Sequence, residues 1–264
     1  MARDDASSRR LPVLGRLILA AGSMLDQPAE IVIDAAAAAG FDGVGLRLSH
    51  DHAVADASAI RQRAASAGLT IHDTEVHRIS IDHTDPAALF EQSAAVGAGA
   101  VLVVSDLSDH RATVDAVGAL TRRCEQHGLR LALEYMAWTT PSEPAHAIEI
   151  AEATGCLVVV DLLHHVRVGA GVTELQAIVN SGTLGWVQIC DGPLSAPLRD
   201  RLVHEARHGR LCPGDGELPL ADLLACLPDG VTISVEVQSD ALLDVDPFAR
   251  ARFLHDGARS VLSA

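Results

Sequence analysis

At 264 residues, nearly half of them hydrophobic, the chain is long enough for one barrel-sized α/β domain; with only 3% aromatic residues, its core must be packed from Ala, Val, Leu and Ile. The formal charge is −15 and all 20 basic residues are arginine, so an acidic surface argues against a nucleic-acid partner and the lack of lysine excludes Schiff-base chemistry. The scattered cysteines (Cys124, Cys156, Cys190, Cys212, Cys226) show no CxxC spacing and read as reduced thiols of a cytoplasmic protein.

Residues 1–12 are expected to form a flexible tail, and 13–264 a single folded domain. The apolar run Arg16–Ala21 is too short to cross a bilayer and reads as a first strand, so no membrane partner is expected. Seven further strands follow: Gly43–Leu48, Leu69–His77, Ala100–Ser105, Leu129–Met136, Cys156–Asp161, Leu184–Cys190 and Val231–Val237. Between them lie Ala-rich helical stretches, among them Pro28–Ala39, Pro86–Val96, Arg111–His127, Pro144–Ala153 and Pro219–Cys226. Gly40, Gly68, Gly99 and Gly128 stand where helices should stop. Eight successive βα units predict an α/β fold, a (β/α)8 TIM barrel whose active site lies at the C-terminal ends of its strands. A doubly wound open sheet competes, but no GxGxxG follows the first strand. The longest irregular stretch, Asp191 to Glu217, reads as an active-site lid or substrate loop.

Four consecutive strands end on a residue foreign to an apolar run: Glu134 in LALEYM, Asp161 in VVVD, Gln188 in WVQIC and Glu236 in ISVEV. Alternation turns Leu131, Leu133, Tyr135, Val187, Ile189, Val235 and Val237 toward the helices, leaving Glu134, Gln188 and Glu236 pointing into the barrel. Carboxylates gathered this way need a counter-charge. Oxygen-only ligands suit a hard divalent cation, Mn²⁺ or Mg²⁺; the alternative is a proton-sharing or arginine-paired polar cluster. His164, three residues beyond Asp161, is placed to reach a substrate oxygen, while His165 points elsewhere. Arg47, Glu75 and His77 read equally as substrate contacts or rim ion pairs. His208 and Arg210, in the long loop, are weaker substrate contacts unless that loop folds over the mouth. Cys190 reads as a packed thiol. Nucleophile elbow, P-loop and HExxH motifs are absent.

LALEYM, VVVDLLHH, WVQICDGP, PGDGELPL and ISVEV together resemble the sugar phosphate isomerase/epimerase superfamily, the xylose isomerase-like TIM barrels. The resemblance implies one divalent metal held by Glu134, Asp161, Gln188 and Glu236, with His164 in the family's Asp-x-x-His substrate contact. It further implies that Glu134 and Glu236 move the substrate proton, one on each face, and that homo-oligomers are common. Many sugar epimerases of this group carry histidine where this chain has Gln188; glutamine is more similar to the hydroxypyruvate isomerase and 3-dehydroshikimate dehydratase branches.

The expected activity is therefore isomerisation or epimerisation of a small polyhydroxylated sugar or hydroxy-keto compound through an enediolate stabilised by the metal. The alternatives are a metal-dependent dehydratase of a cyclic polyol ketone, such as a keto-inositol or 3-dehydroshikimate, with His164 or His77 as acid, and a non-catalytic sugar-binding barrel.

Overall fold

The computed structural model describes residues 11–13, 15–48, 56–82 and 85–263. The expected tail therefore falls largely outside the described residues, and Leu11 already packs against the core. Eight parallel strands close a barrel in chain order, β8 pairing back onto β1: β1 Arg16–Leu19, β2 Gly43–Arg47, β3 Thr70–Ile79, β4 Ala100–Ser105, β5 Arg130–Glu134, β6 Leu157–Asp161, β7 Leu184–Ile189 and β8 Thr232–Val235. All eight expected strands are present, with ends shifted by a residue or two.

The helices described are α1 Ala29–Ala39, α2 Ala57–Ser66, α3 Ala87–Val96, α4 His110–Gln126, α5 Pro144–Thr154, α6 Leu162–Arg167, α7 Val172–Ser181, α8 Leu202–His208, α9 Leu220–Leu224 and α10 Pro247–Val261. Aspartates open several of them. Asp56, Asp109 and Asp246 accept backbone N–H bonds at the starts of α2, α4 and α10, where the first-turn donors have no helical partner. Gly97 (φ +80°), rather than the expected Gly99, ends α3, because only the left-handed residue right after Val96 can cap that turn. No described helix is long and apolar enough to cross a membrane.

Alternation sorts the strand residues into two cores. The outward set, including Leu17, Leu19, Val44, Leu46, Val101, Val103, Leu131, Leu133, Val158, Val160, Val187, Ile189, Ile233 and Val235, packs on the helices. The inward set is small: Ala100, Leu102, Val104, Ala132, Met136, Val159 and Trp186. These plug the barrel interior, so the polar residues one step further along each strand sit at its C-terminal mouth.

The end of the chain is tied to its beginning. Arg250 of α10 is 1% exposed and forks onto Asp26 (2.6 and 3.0 Å), while also donating to the carbonyls of Leu243 (3.2 Å) and Val245 (3.4 Å). The hydrogen bond from Arg250 holds the Asp26 carboxyl below its usual range, partly offset by burial. Because the folded-state value is depressed, the stabilisation is present above the unfolded value of about 3.9 and lost as pH falls through the folded one. Asp26→Asn is expected to cost about 1 kcal/mol at pH 7, discounted for the partial exposure of the carboxylate. In urea titrations the gap to wild type should narrow below pH ~4; a gap that persists unchanged there would contradict this role.

Candidate active site

Toward the mouth, four strands place a polar residue two positions beyond an inward one: Ala132 is followed by Glu134, Val159 by Asp161, Trp186 by Gln188 and Ser234 by Glu236. All four are buried, at 6, 1, 2 and 5% exposure. Glu134 and Glu236 line a cavity of about 400 Å³ together with Glu75, His164 and Arg210; Asp161 and Gln188 are not among its lining residues. Glu134 and Glu236 face the cavity, the direction alternation leads one to expect.

Asp161 occupies the turn where β6 becomes α6. One carboxylate oxygen accepts the N–H of Leu163 (2.8 Å) and of His164 (3.1 Å), capping the helix, and the other accepts from Arg210. Burial pushes this carboxyl up, but the adjacent Arg210 guanidinium and its other partners more than reverse that and leave it lowered, so Asp161 is a fixed anion.

The capping bond also orients His164. Its Nε2 lies 3.3 Å from Arg210 Nη2 and 3.7 Å from Glu134 Oε1. Its Nδ1 is buried without a hydrogen-bond partner. Burial brings the His164 pKa down to about 4, which keeps the ring neutral. Trp138 meets it edge-on, 5.1 Å between centroids. His165 does point elsewhere: Nε2 bonds the Gly171 carbonyl at 2.8 Å, leaving Nδ1 to accept from the Tyr135 hydroxyl at 2.6 Å.

Glu134 is pushed well above the usual range by burial and then by repulsion from Glu236 and Asp161. Glu236 is raised to about 8 by burial, Arg210 opposing the rise. Gly22 makes room for it: a Cβ at position 22 would stand 2.3 Å from Glu236 Oε1.

Arg210, a weaker candidate from the long loop, lies within the site. It is 3% exposed and donates to the carbonyls of Ala206 (2.7 Å) and Glu236 (3.1 Å) as well as to Asp161. The long loop does fold over the mouth. Asp191 and Leu211 exchange backbone bonds of 2.8 and 2.9 Å, and α8, which this stretch contains, brings Ala206 and Arg207 to the cavity wall. Arg167 of α6 holds α8 by a fork onto Glu205 (2.7 and 2.8 Å).

Two expected substrate contacts lie elsewhere. The register between β3 and β4 shifts between Thr74 and His77, so the face shared by Asp73 and Glu75 does not continue to His77. His77 lines a separate cavity with Asp85 and Arg123. His208, at the far end of α8, is exposed and meets Asp240 at 2.9 Å. Arg47 and Glu75 do line the mouth, 3.9 Å apart. Cys190 is fully buried and its thiol is pushed up by burial, as suits a packed side chain.

Asp73 was missed. It is buried one step below Glu75, its Oδ1 without a hydrogen bond, and burial followed by repulsion from Glu75 and Glu236 raises its pKa. The signal was available in the sequence, where Asp73 and Glu75 alternate like the other inward pairs.

The donor set fits a divalent cation. Glu134, Asp161 and His164 each present a ligand atom within 4.8 Å of the others. Gln188 Oε1 and Glu75 Oε1 are buried acceptors with no donor. Five buried carboxyls (Asp73, Glu75, Glu134, Asp161, Glu236) meet only two guanidiniums at ion-pair range among the described residues, Arg210 and Arg47. Oxygens with one imidazole suit Mg²⁺, Mn²⁺ or Zn²⁺. The proton-sharing or arginine-paired cluster weighed as the alternative is present as well: Arg210 and Arg47 meet part of the charge, and Asp73, Glu134 and Glu236 are raised toward the neutral form.

The family model described as xylose isomerase-like TIM barrel matches residues 33–252. Among solved structures, a xylose isomerase-like TIM barrel/4-hydroxyphenylpyruvate dioxygenase fusion protein aligns at 22% identity and TM-score 0.78, over 94% of this chain and 42% of its own, so this chain spans less than half of that protein. A zinc-bound IolI protein aligns at 14% identity and TM-score 0.78, over 94% and 98% of the two chains. A D-allulose 3-epimerase from Methylomonas sp. aligns at 15% identity and TM-score 0.71, over 95% and 99%. These identities establish a common fold. No curated protein matches the chain.

Proposed function

We propose, for a chain that belongs to the xylose isomerase-like TIM barrel family, that it is a divalent-metal-dependent isomerase or epimerase of a small sugar or hydroxy-keto compound. The observation that supports this reading is that Glu134, Asp161 and His164 each bring a ligand atom within 4.8 Å of the others, with Glu134, His164 and Glu236 lining one cavity and Gln188 Oε1 buried without a partner.

Glu134, Asp161, Gln188 and Glu236 would hold the ion, with His164 in reach of it or of a substrate oxygen. When bound, such an ion supplies Lewis acidity toward a carbonyl oxygen and its neighbouring hydroxyl, which acidifies the adjacent C–H. Glu134 and Glu236, from β5 and from the end of β8, take and return that proton at the substrate carbon. Asp161 is held ionised and oriented by Arg210 and by the α6 N–H groups. Met136 and Trp138 form an apolar wall that limits water at the reacting carbon.

The test is proton exchange. Ketohexoses and hydroxy-keto acids incubated with the protein in D₂O and Mn²⁺ or Mg²⁺ are expected to gain deuterium beside the carbonyl, read by NMR, with an epimer or isomer accumulating. A product with new near-ultraviolet absorbance would instead mark dehydration. Absence of exchange with every metal and substrate tried would contradict the proposal.

A further inference from the structure

Contrary to the motif reading above, the chain does carry an HExxH spacing, His204-Glu205-Ala206-Arg207-His208, and it lies in α8. In metalloproteases the two histidines of this spacing hold zinc and the glutamate is the general base. Here the glutamate is already occupied, because Arg167 forks onto Glu205 at 2.7 and 2.8 Å. A protease reading fails on that contact, and the histidine pair remains. His204 and His208, four residues apart, share one helix face. Both are exposed, and their rings stack with 5.0 Å between centroids and 24° between planes. His204 makes no hydrogen bond among the described residues. His208 Nδ1 lies 2.9 Å from Asp240 Oδ1. A carboxylate accepts, so Nδ1 donates, and the neutral ring then keeps its lone pair on Nε2. A carboxylate behind the far ring nitrogen is what orients a metal-binding histidine.

The contact with Asp240 also continues a register. Arg210 N–H donates to the Gln238 carbonyl at 3.1 Å and Gly209 bridges Ser239 antiparallel, so His208 against Asp240 is the third link of a clasp between the end of α8 and the chain that follows Glu236. We propose that His204 and His208, with Asp240 behind His208, form a second metal site on the exposed face of α8, taking Zn²⁺, Ni²⁺ or Cu²⁺ with water in the remaining positions. Imidazole suits these ions, whereas Mg²⁺ prefers oxygen. None of the three residues lines the mouth, so the site is distinct from the carboxylate cluster there. An ion bridging His204 and His208 braces the turn that brings Ala206 and Arg207 to the cavity wall and reinforces the clasp, steadying this lid without touching substrate. Two imidazoles without a third protein ligand hold an ion weakly, so dialysis removes it and leaves the metal count at the mouth unchanged.

The test is calorimetric titration of Ni²⁺ into protein kept in excess Mg²⁺, with amide hydrogen exchange of α8 read with and without Ni²⁺. Wild type is compared with His204→Asn, His208→Asn, Asp240→Asn and Glu134→Gln. The first three replace exposed side chains and should fold as wild type does. Wild type is expected to take up an ion that each histidine variant binds at least about tenfold more weakly, and Asp240→Asn about tenfold more weakly. Glu134→Gln, altered at the mouth, should bind this ion like wild type, so the site stands or falls separately from the proposed function. On Ni²⁺ binding, the α8 amides of wild type should exchange several-fold more slowly, and those of His204→Asn should not change. Equal uptake by wild type and both histidine variants would mark adventitious binding at other histidines and overturn the inference. So would loss of the ion in Glu134→Gln alone, no uptake at millimolar Ni²⁺, or binding that leaves α8 exchange unchanged.

Discussion

Glu134→Gln is expected to lower turnover by about 10³-fold or more while raising the melting temperature of the metal-free protein. The two effects have one cause. Glu134 is buried against Glu236 and Asp161, and its carboxyl is pushed well above its usual range by burial and by that repulsion. At neutral pH the metal-free folded chain must therefore bind a proton that the unfolded chain does not. This cost exists above the unfolded value of about 4.3 and vanishes below it. Glutamine has the same shape and no charge, so it removes the cost, worth about 1 kcal/mol, together with the proton carrier and a ligand. The stability gain should be present at pH 7 and gone at pH 4, when thermal midpoints are compared with kcat for the substrate found by deuterium exchange. A variant that is active, or less stable at pH 7, would count against this role.

Arg210→Met should act in the opposite direction, destabilising the protein by about 3–5 kcal/mol, because Asp161 and Glu236 would remain buried without their cation. Arg210→Lys should recover only part of the loss, since one ammonium cannot replace a fork that reaches Asp161, Glu236, His164 and the Ala206 carbonyl together. Saturating divalent metal should restore some of the stability of Arg210→Met by mass action, about 2.7 kcal/mol at a hundredfold excess over Kd. Urea midpoints with and without metal measure both. If Arg210→Met unfolds at the wild-type midpoint, the guanidinium is not the structural counter-ion proposed.

What could be read from the sequence is what depends on local periodicity. Glu134, Asp161, Gln188 and Glu236 stood out because a strand alternates every two residues and each interrupts an apolar run. Asp73 and Glu75 obey the same rule and were only half read. The failures come from non-local geometry. His77 leaves the mouth because the β3–β4 register shifts by pairing, which alternation within one strand does not reveal. Arg210 is buried because the chain after β7 returns to pair Leu211 with Asp191 and is braced by Arg167 against Glu205, contacts whose partners lie tens of residues apart. The need for Gly22 follows from Glu236 approaching it, at the other end of the sequence.

The measurement that tests the central claim most directly is metal content by elemental mass spectrometry on purified wild type beside Glu134→Gln and Glu236→Gln. The account predicts about one divalent ion per chain in wild type, after reconstitution with Mn²⁺, Mg²⁺ or Zn²⁺, and a large loss in both variants. A wild-type protein that takes up no divalent ion even when it is supplied would make these strand-end residues an arginine-buttressed polar cluster, and the catalytic reading would fall with the metal.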